Sequence, residues 1–151
     1  MKLESFQYAT SLDLNMGYYH IQLMPNAAHL CTIILPWGKY EYVCLPMGIQ
    51  NALDIFQEAM SELMHDLEFI HVYLDDLLCI TTRDWSTHLK QLDQVFSHLE
   101  VAGLKVNAAK SSFGQTELEY LGFWINHERI QPLTQKVETI QNIKPPTTRK
   151  Q

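Results

Sequence analysis

The feature that most restricts the fold is the segment IHVYLDDLLCI, residues 70–80, in which two adjacent aspartates interrupt an apolar, β-prone run. Burying two like charges side by side within a strand would cost a large amount of free energy. We therefore predict a β-hairpin with the arms IHVYL and LLCIT, and with Asp75 and Asp76 at its tip. At the tip the chain reverses, so both side chains can leave the core.

On this stretch alone, a solvated Asp-Asp turn explains the pair as well as a functional site does. A third aspartate, Asp13, ends another β-like run in TSLDL, and a strand end can lie beside a neighbouring hairpin tip in an antiparallel sheet. Three converging carboxylates repel one another unless one is protonated or cations neutralise them. Magnesium is typically held by one or two carboxylates and completed by water and phosphates. The pattern suits two-metal phosphoryl or nucleotidyl transfer.

Hydrophobic periodicity predicts the other elements. YATSLDL and HIQLM are read as short strands around the turn-prone NMGYY. Helical spacing starts after Asn51, the predicted N-cap, and a second helix is predicted in DWSTHLKQLDQVFSHLEVAG, with Gly103 as its stop. LKVN, ELEYLGFWI and RIQP are read as strands, and one more short helix is predicted before the double proline near the C-terminus. The second helix has a predicted apolar stripe made of Trp85, Leu89, Leu92, Phe96 and Leu99.

The order β, β-hairpin, α, β-hairpin, α, β predicts an α+β domain with an antiparallel sheet covered on one face by two helices. The first hairpin, LCTIILPWGKYEYVCLP, is predicted to fold at Trp37-Gly38. Such a turn would make Cys31 and Cys44 face one another, although reduced thiols are expected in an intracellular protein. The histidines never take a zinc-like spacing with a cysteine.

Composition restricts the class of protein further. With 151 residues, 46% of them hydrophobic, the chain can bury one core and is predicted to form one globular domain. It has no apolar run of membrane-helix length, and the N-terminus MKLESFQYAT lacks the apolar block of a secretory signal. We therefore expect an intracellular protein without a membrane partner. The formal charge of −6 argues against nucleic acid, whose binding depends on lysines and arginines.

Five ordered segments resemble a known family: SLDLNMGYYHIQL, LPMGIQNALDIFQ, YLDD, GLKVNAAKSSF and ELEYLGFWI. Their order and spacing are similar to those of the palm domain of reverse transcriptases, in particular of Ty3/gypsy-type long-terminal-repeat retrotransposons. The resemblance runs from about Phe6 to the end of the chain. It implies a polymerase palm with a ferredoxin-like core, and a β-hairpin that extends from the junction of palm and fingers.

The resemblance implies a role for each matching residue in the chemistry. Asp13, Asp75 and Asp76 are the expected catalytic carboxylates, which hold two Mg²⁺ ions, for which Mn²⁺ can substitute, together with the backbone carbonyl of Leu14. Lys110 in NAAKSSF matches a lysine that protonates the departing pyrophosphate, with a solvated lysine as the alternative.

Other matching residues are implied to contact the substrates. Tyr18 falls where the family keeps an aromatic residue that selects deoxynucleotides, although it could also be a packing tyrosine. Met47 and Gly48 in LPMGIQNA are implied nucleotide-binding residues. The implied contacts to primer or template are Tyr73, Asn51, Leu121 and Gly122.

The resemblance also implies partners: an RNA or DNA template with its primer, deoxynucleoside triphosphates, and the fingers, thumb and ribonuclease H parts of a longer polyprotein. Residues 1–130 are expected to form the palm with partial fingers, and residues 131–151 to begin the thumb or connection. The basic surfaces that hold nucleic acid would then lie largely on the other parts, which removes the objection from charge. The expected location is cytoplasmic or nuclear, including virus-like particles.

One residue departs from the family pattern: Leu53 stands where a proline is usual near the first turn of a helix. Leucine is a good helix former, so the change should cost little. Three interpretations remain open at this point: an RNA-directed DNA polymerase domain with little activity as an isolated chain, a decayed retroelement remnant that folds without catalysis, and an unrelated α+β interaction module.

Overall fold

A computed structural model describes residues 6–142 of the chain. Strands and helices are mixed along this part, and a short 3-10 helix spans Gly17–His20. The elements are β1 (Tyr8–Asp13), α1 (Pro25–Leu30), β2 (Thr32–Leu35), β3 (Gly38–Glu41), α2 (Ala52–Leu63), β4 (Ile70–Tyr73), β5 (Asp76–Thr81), α3 (Trp85–Val101), β6 (Ser112–Gln115), β7 (Glu117–Tyr120), β8 (Phe123–Asn126), β9 (Ile130–Pro132) and α4 (Thr134–Gln141).

The main sheet has four strands in the order β4-β5-β1-β6, and every neighbouring pair is antiparallel. Together with α2 and α3 these strands form a β-α-β-β-α-β unit, the ferredoxin-like arrangement. The predicted α+β fold is therefore confirmed. The β2–β3 hairpin forms a separate two-stranded sheet, and β7, β8 and β9 form a three-stranded one.

Both faces of the main sheet are covered because side chains alternate along each strand. On one face Leu12 and Leu77, which are paired across β1 and β5, pack in a core with α2 and α3. The helical residues of this core include Phe56, Met60, Leu92, Val95 and Leu99. On the other face Ala9 and Leu78 pack against the three-stranded sheet through Leu118, Tyr120 and Ile125. The two helices thus share one face, as the sequence predicted.

The turn of the first hairpin lies one residue earlier than predicted. Leu35 is paired with Gly38, so the turn is Pro36-Trp37 rather than Trp37-Gly38. When a two-residue turn moves by one residue, the partner of every residue in the hairpin changes by two, so Thr32 pairs with Glu41 instead of Val43. The backbone carbonyl of Cys31 therefore accepts a hydrogen bond from Tyr42, while Cys44 forms a bridge with Gln22. The expectation that Cys31 and Cys44 face one another was wrong.

Two predicted strands are reduced to isolated bridges. HIQLM contributes only Gln22, and LKVN contributes only Val106, which pairs with Leu14. The strand β6 was not predicted, since SSFGQ lacks apolar alternation. The helix α1 was also missed, because its six residues are too few for periodicity to be visible.

The predicted helices exist, with two corrections. Asn51 does occupy the N-cap of α2, but its backbone is left-handed (φ 68°) and its side chain makes no capping hydrogen bond. The apolar stripe predicted for α3 was partly wrong, since Trp85, Leu89 and Phe96 are 44%, 48% and 38% exposed. The helix is rotated so that the buried set is His88, Leu92, Val95 and Leu99.

The predicted helix ends agree with the structure better than the predicted buried face of α3 does. Gly103 has φ 71°, and its N–H donates to the carbonyl of Glu100 as α3 stops. The last predicted helix is α4, and the double proline that follows it lies outside the described residues. Within residues 6–142, no helix is both long and apolar enough to cross a membrane.

Candidate active site

Antiparallel pairing brings the three predicted aspartates to one end of the main sheet. Asp13 is the last residue of β1 and is paired with Asp76, the first residue of β5. The turn between β4 and β5 consists of Leu74 and Asp75, since Tyr73 is paired with Asp76. Asp75 is thus at the hairpin tip, as predicted, whereas Asp76 belongs to the strand. The backbone N–H of Leu14 donates to the carbonyl of Asp75 at 2.9 Å, which ties the turn to β1.

Asp75 has an unusual environment for a carboxylate. Its Oδ1 is buried and has no hydrogen-bond partner among the described residues. Gly17 provides the space beside it: a Cβ at Gly17 would lie 3.3 Å from this oxygen and 2.5 Å from the Phe56 ring. A buried carboxylate oxygen without a donor costs free energy, so the site favours a ligand that can bind it.

Burial and neighbouring charges shift the pKa values of two of these aspartates. Burial raises the pKa of Asp75, and the nearby charges of Asp13 and Asp76 raise it further, while Lys110 lowers it. Burial and the charge of Asp13 likewise raise the pKa of Asp76, again opposed by Lys110. Both carboxylates therefore lose a proton less readily than usual, and a bound cation would favour their charged forms.

Lys110 lies at the same end of the sheet, with its Nζ 3.8 Å from Oδ1 of Asp13. The segment that carries it is fixed to β1. Asn107 donates its backbone N–H to the carbonyl of Asp13 at 2.8 Å. The hydroxyl of Ser111 accepts from the backbone N–H of Asp13 at 3.1 Å and donates to the carbonyl of Asn107 at 2.8 Å. Sequence reasoning missed both residues, because a serine or asparagine beside a lysine carries no signal of this contact.

A hard divalent cation fits this set of donors. The oxygens belong to carboxylates, and one of them is buried without a hydrogen-bond partner in the described part of the chain. The repulsion among the carboxylates is relieved by positive charge. In residues 6–142, however, no group of three or more His, Cys, Asp or Glu side chains is close enough to enclose a metal ion. Such a partial set of donors is what Mg²⁺ uses when water and substrate phosphates complete its coordination.

Tyr18 is 5% exposed and its ring stacks on Phe56, with 4.5 Å between the ring centroids. Burial raises the pKa of its hydroxyl, and the charge of Asp75 adds to the effect. The ring thus packs in the core near Asp75, and its expected role in selecting deoxynucleotides stays a prediction.

The hairpin β7–β8 lies near the carboxylates. Leu121 and Gly122 form its turn, and both have positive φ. Burial, followed by the charges of Asp76 and Tyr73, raises the pKa of the adjacent Tyr120 to about 12. Tyr73 is 53% exposed beside Asp76, so it is accessible to a ligand at this end of the sheet.

The remaining predicted residues lie in the exposed loop before α2. Met47, Gly48 and Asn51 are exposed, and Gly48 has φ 95°. In the part of the chain that the structure describes, none of them forms a hydrogen bond or ion pair with an aspartate. The structure therefore gathers Asp13, Asp75, Asp76 and Lys110, and among residues 6–142 it shows no hydrogen bond or ion pair that joins this loop to them.

Comparison with known proteins gives the family. The family model described as "Reverse transcriptase (RNA-dependent DNA polymerase)" matches residues 1–125. The chain is 34% identical over 151 residues to the "Retrovirus-related Pol polyprotein from transposon opus" of Drosophila melanogaster, covering 99% of this chain and 15% of the relative. It is 31% identical over 142 residues to the corresponding polyprotein from transposon gypsy of the same organism, covering 93% of this chain and 14% of the relative.

The solved structures that resemble this chain are also reverse transcriptases. The foamy viral protease-reverse transcriptase in complex with double-stranded DNA has a TM-score of 0.88 and 28% identity, over 97% of this chain and 26% of that one. The complex of the foamy viral enzyme with an RNA/DNA hybrid has a TM-score of 0.83 and 28% identity, over 93% of this chain and 19% of that one. The chain thus spans a small part of the proteins it matches. It belongs to the reverse transcriptase family, and its relatives are Ty3/gypsy-type transposon polyproteins.

Proposed function

We propose that this chain is the catalytic palm of an RNA-directed DNA polymerase and extends a primer 3′-end with deoxynucleotides. The observation that carries the proposal is the carboxylate cluster at the end of β1 and β5, in which the buried Oδ1 of Asp75 has no hydrogen-bond partner among residues 6–142. A plain solvated turn would leave the oxygens of its aspartates in water.

Asp13, Asp75 and Asp76, with the backbone carbonyl of Leu14, would hold two Mg²⁺ ions, or Mn²⁺ in their place. When bound, the ions would stabilise the charge of the transferring phosphate and make the primer hydroxyl easier to deprotonate. In the proposed reaction the primer 3′-oxygen attacks the α-phosphorus and loses its proton to water, and the bond to the β-phosphate breaks. Lys110, whose Nζ lies 3.8 Å from Oδ1 of Asp13, would supply a proton to the departing pyrophosphate.

The proposed substrates are inferred from the nucleic acids bound in similar solved structures. The printed titles of the foamy viral structures describe complexes with an RNA/DNA hybrid and with double-stranded DNA. For this chain we propose an RNA or DNA template with a primer, and deoxynucleoside triphosphates. Tyr18, Met47 and Gly48 are the proposed nucleotide contacts. The proposed primer or template contacts are Tyr73, Asn51, Leu121 and Gly122.

The proposed polymerase would also need other parts of the polyprotein. Residues 1–130 would act as palm with partial fingers, and residues 131–151 would begin the thumb or connection. Fingers, thumb and ribonuclease H parts would supply the basic surfaces that a chain of charge −6 lacks. A cytoplasmic or nuclear location, including virus-like particles, follows from the same proposal.

The test is primer extension by a chimera in which this chain replaces the corresponding segment of the foamy viral reverse transcriptase. With Mn²⁺, an RNA template and a DNA primer, we expect extension that falls at least about 1,000-fold in the Asp75→Asn chimera. Binding of the labelled primer–template should be similar in both chimeras, which shows that each is folded. A chimera that binds primer–template but extends it no faster than its Asp75→Asn form would contradict the proposal.

A further inference from the structure

The turn that carries Asp75 has a costly backbone conformation. Leu74 has φ 52°, in the left-handed region that residues with a Cβ rarely adopt. Such a conformation costs free energy and persists only where surrounding contacts impose it. The position of Asp75, the next residue, depends directly on this backbone.

A side chain from α2 makes those contacts. Oε1 of Gln57 accepts the backbone N–H of Leu74 at 2.7 Å. Nε2 of Gln57 donates a hydrogen bond to the hydroxyl of Ser61 at 3.0 Å. It also donates a long hydrogen bond, 3.4 Å, to the backbone carbonyl of Val72. One carboxamide thus contacts the backbone on both sides of Tyr73.

Gln57 is itself held in place. Its neighbour Phe56 is almost fully buried, and Met60 on the same helix is buried in the same core. On the opposite side of the turn, the backbone N–H of Leu14 donates to the carbonyl of Asp75 at 2.9 Å. The turn is therefore fixed between a packed helix and the end of β1.

We propose that Gln57 is a positioning residue, which holds the Leu74–Asp75 turn so that the carboxylates of Asp75 and Asp76 face Asp13. Gln57 acts through the backbone and does not touch the reacting atoms. This inference rests on the proposed function for its purpose, but the contact itself can be tested without polymerase activity.

The first test uses the 151-residue chain without metal. Gln57→Met keeps the length of the side chain and removes both hydrogen-bonding groups, while Gln57→Glu keeps the acceptor for Leu74. Gln94→Met on the exposed face of α3 is the matched control. We expect hydrogen exchange of the Leu74 amide to become at least about tenfold faster in Gln57→Met and to remain slow in Gln57→Glu and in the control.

The second readout distinguishes positioning from a merely structural role. The pKa values of Asp75 and Asp76, measured by carbon NMR, should move towards the ordinary value in Gln57→Met, and Mn²⁺ should bind about tenfold more weakly. Fast exchange at Leu74 with unchanged carboxyl pKa values and unchanged Mn²⁺ affinity would overturn the inference. If Gln57→Met does not fold, fast exchange at Leu74 in Gln57→Glu would overturn it as well.

The two proposals fail in different ways. If the wild-type chain binds Mn²⁺ no better than Asp75→Asn does, the proposed metal site is refuted. The exchange and pKa measurements on Gln57→Met still decide whether Gln57 positions the carboxylates.

Discussion

The pairing of Asp13 with Asp76 sets two like charges directly opposite each other on adjacent strands, which is destabilising by up to about 1 kcal/mol. We therefore predict that Asp76→Asn increases the free energy of unfolding of the metal-free chain by about 0.2–1 kcal/mol at pH 7. Thermal unfolding in EDTA measures this. Adding Mn²⁺ should raise the unfolding temperature of the wild-type chain more than that of the variant, because the variant has lost a ligand.

The raised pKa values of Asp75 and Asp76 determine how the stability of the metal-free chain changes with pH. The pKa values of Asp75 and Asp76 are raised in the folded chain, so the folded state holds more protons than the unfolded state above the ordinary aspartate pKa. Their contribution to stability is therefore full below that value and is lost as the pH rises through the raised pKa values. Asp93→Asn, at an exposed position of α3, is the control and should change neither the stability in EDTA nor the response to Mn²⁺.

Gly17 illustrates why a small residue is required at one position. We predict that Gly17→Ala destabilises the chain by about 1–3 kcal/mol, because the new methyl group would overlap the Phe56 ring. Urea unfolding measures the loss. The control is a double-mutant cycle with Phe56→Leu: the two changes together should cost less than their sum, since the smaller side chain makes room. Additive costs would show that the Phe56 contact is not the cause.

At the scale of elements, the β7–β8 hairpin carries a residue that suits its turn poorly. Leu121 has φ 50° and Gly122 has φ 78°, the combination of a type I′ turn, for which Asn-Gly is strongly preferred. We predict that Leu121→Asn stabilises the chain by about 0.5–1 kcal/mol, measured as a higher unfolding temperature. In the active chimera the same change should weaken primer extension, because Leu121 is a proposed primer contact.

The matched control is Leu89→Asn, which replaces another half-exposed leucine at a helical position. It should destabilise the chain slightly, since asparagine is a poorer helix former. A decrease in stability for Leu121→Asn would mean that the packing of Leu121 outweighs its backbone cost.

How far elements can be predicted depends on their length and on their surroundings. The long helices and the β4–β5 hairpin were visible because periodicity and charge are local properties of the sequence. The rotation of α3 was not visible, because Trp85 looks like a core residue. Its ring instead packs against Gly114 and Tyr8 at the edge of the sheet.

A polar network around His88, which is fully buried, connects α3 to two strands of the main sheet. Its Nε2 lies 2.8 Å from the hydroxyl of Thr10 on β1, and its Nδ1 lies 2.7 Å from the hydroxyl of Thr81 on β5. Thr81 in turn donates to Gln91 of α3. A neutral imidazole, donating from Nδ1 and accepting at Nε2, satisfies all these partners.

This network gives the molecule a pH dependence of its own. Burial lowers the pKa of His88, so the unfolded state takes up a proton more readily. His88 therefore contributes stability above the ordinary histidine pKa of about 6.5, and this contribution is lost as the pH falls towards the lowered value. We predict that His88→Asn costs about 1–3 kcal/mol at pH 7.5, and less at pH 5.5.

Urea unfolding at pH 7.5, 6.5 and 5.5 measures the difference between the wild-type chain and the variant. His20→Asn, at an exposed position, is the control and should cost little stability at pH 7.5. A cost for His88→Asn that stays constant between pH 7.5 and pH 5.5 would contradict this account of the buried imidazole.

The sequence by itself determined the α+β class, the two long helices, and the hairpin with Asp75 at its tip, because these depend on local periodicity and on the cost of burying charge. Five ordered motifs were enough to identify the family. Only the tertiary structure decided the register of the first hairpin, the burial of His88, and the contacts of Gln57 and Ser111 with the aspartate backbone. These depend on which faces and strand ends meet, and residues far apart in the chain carry no local signal of that meeting.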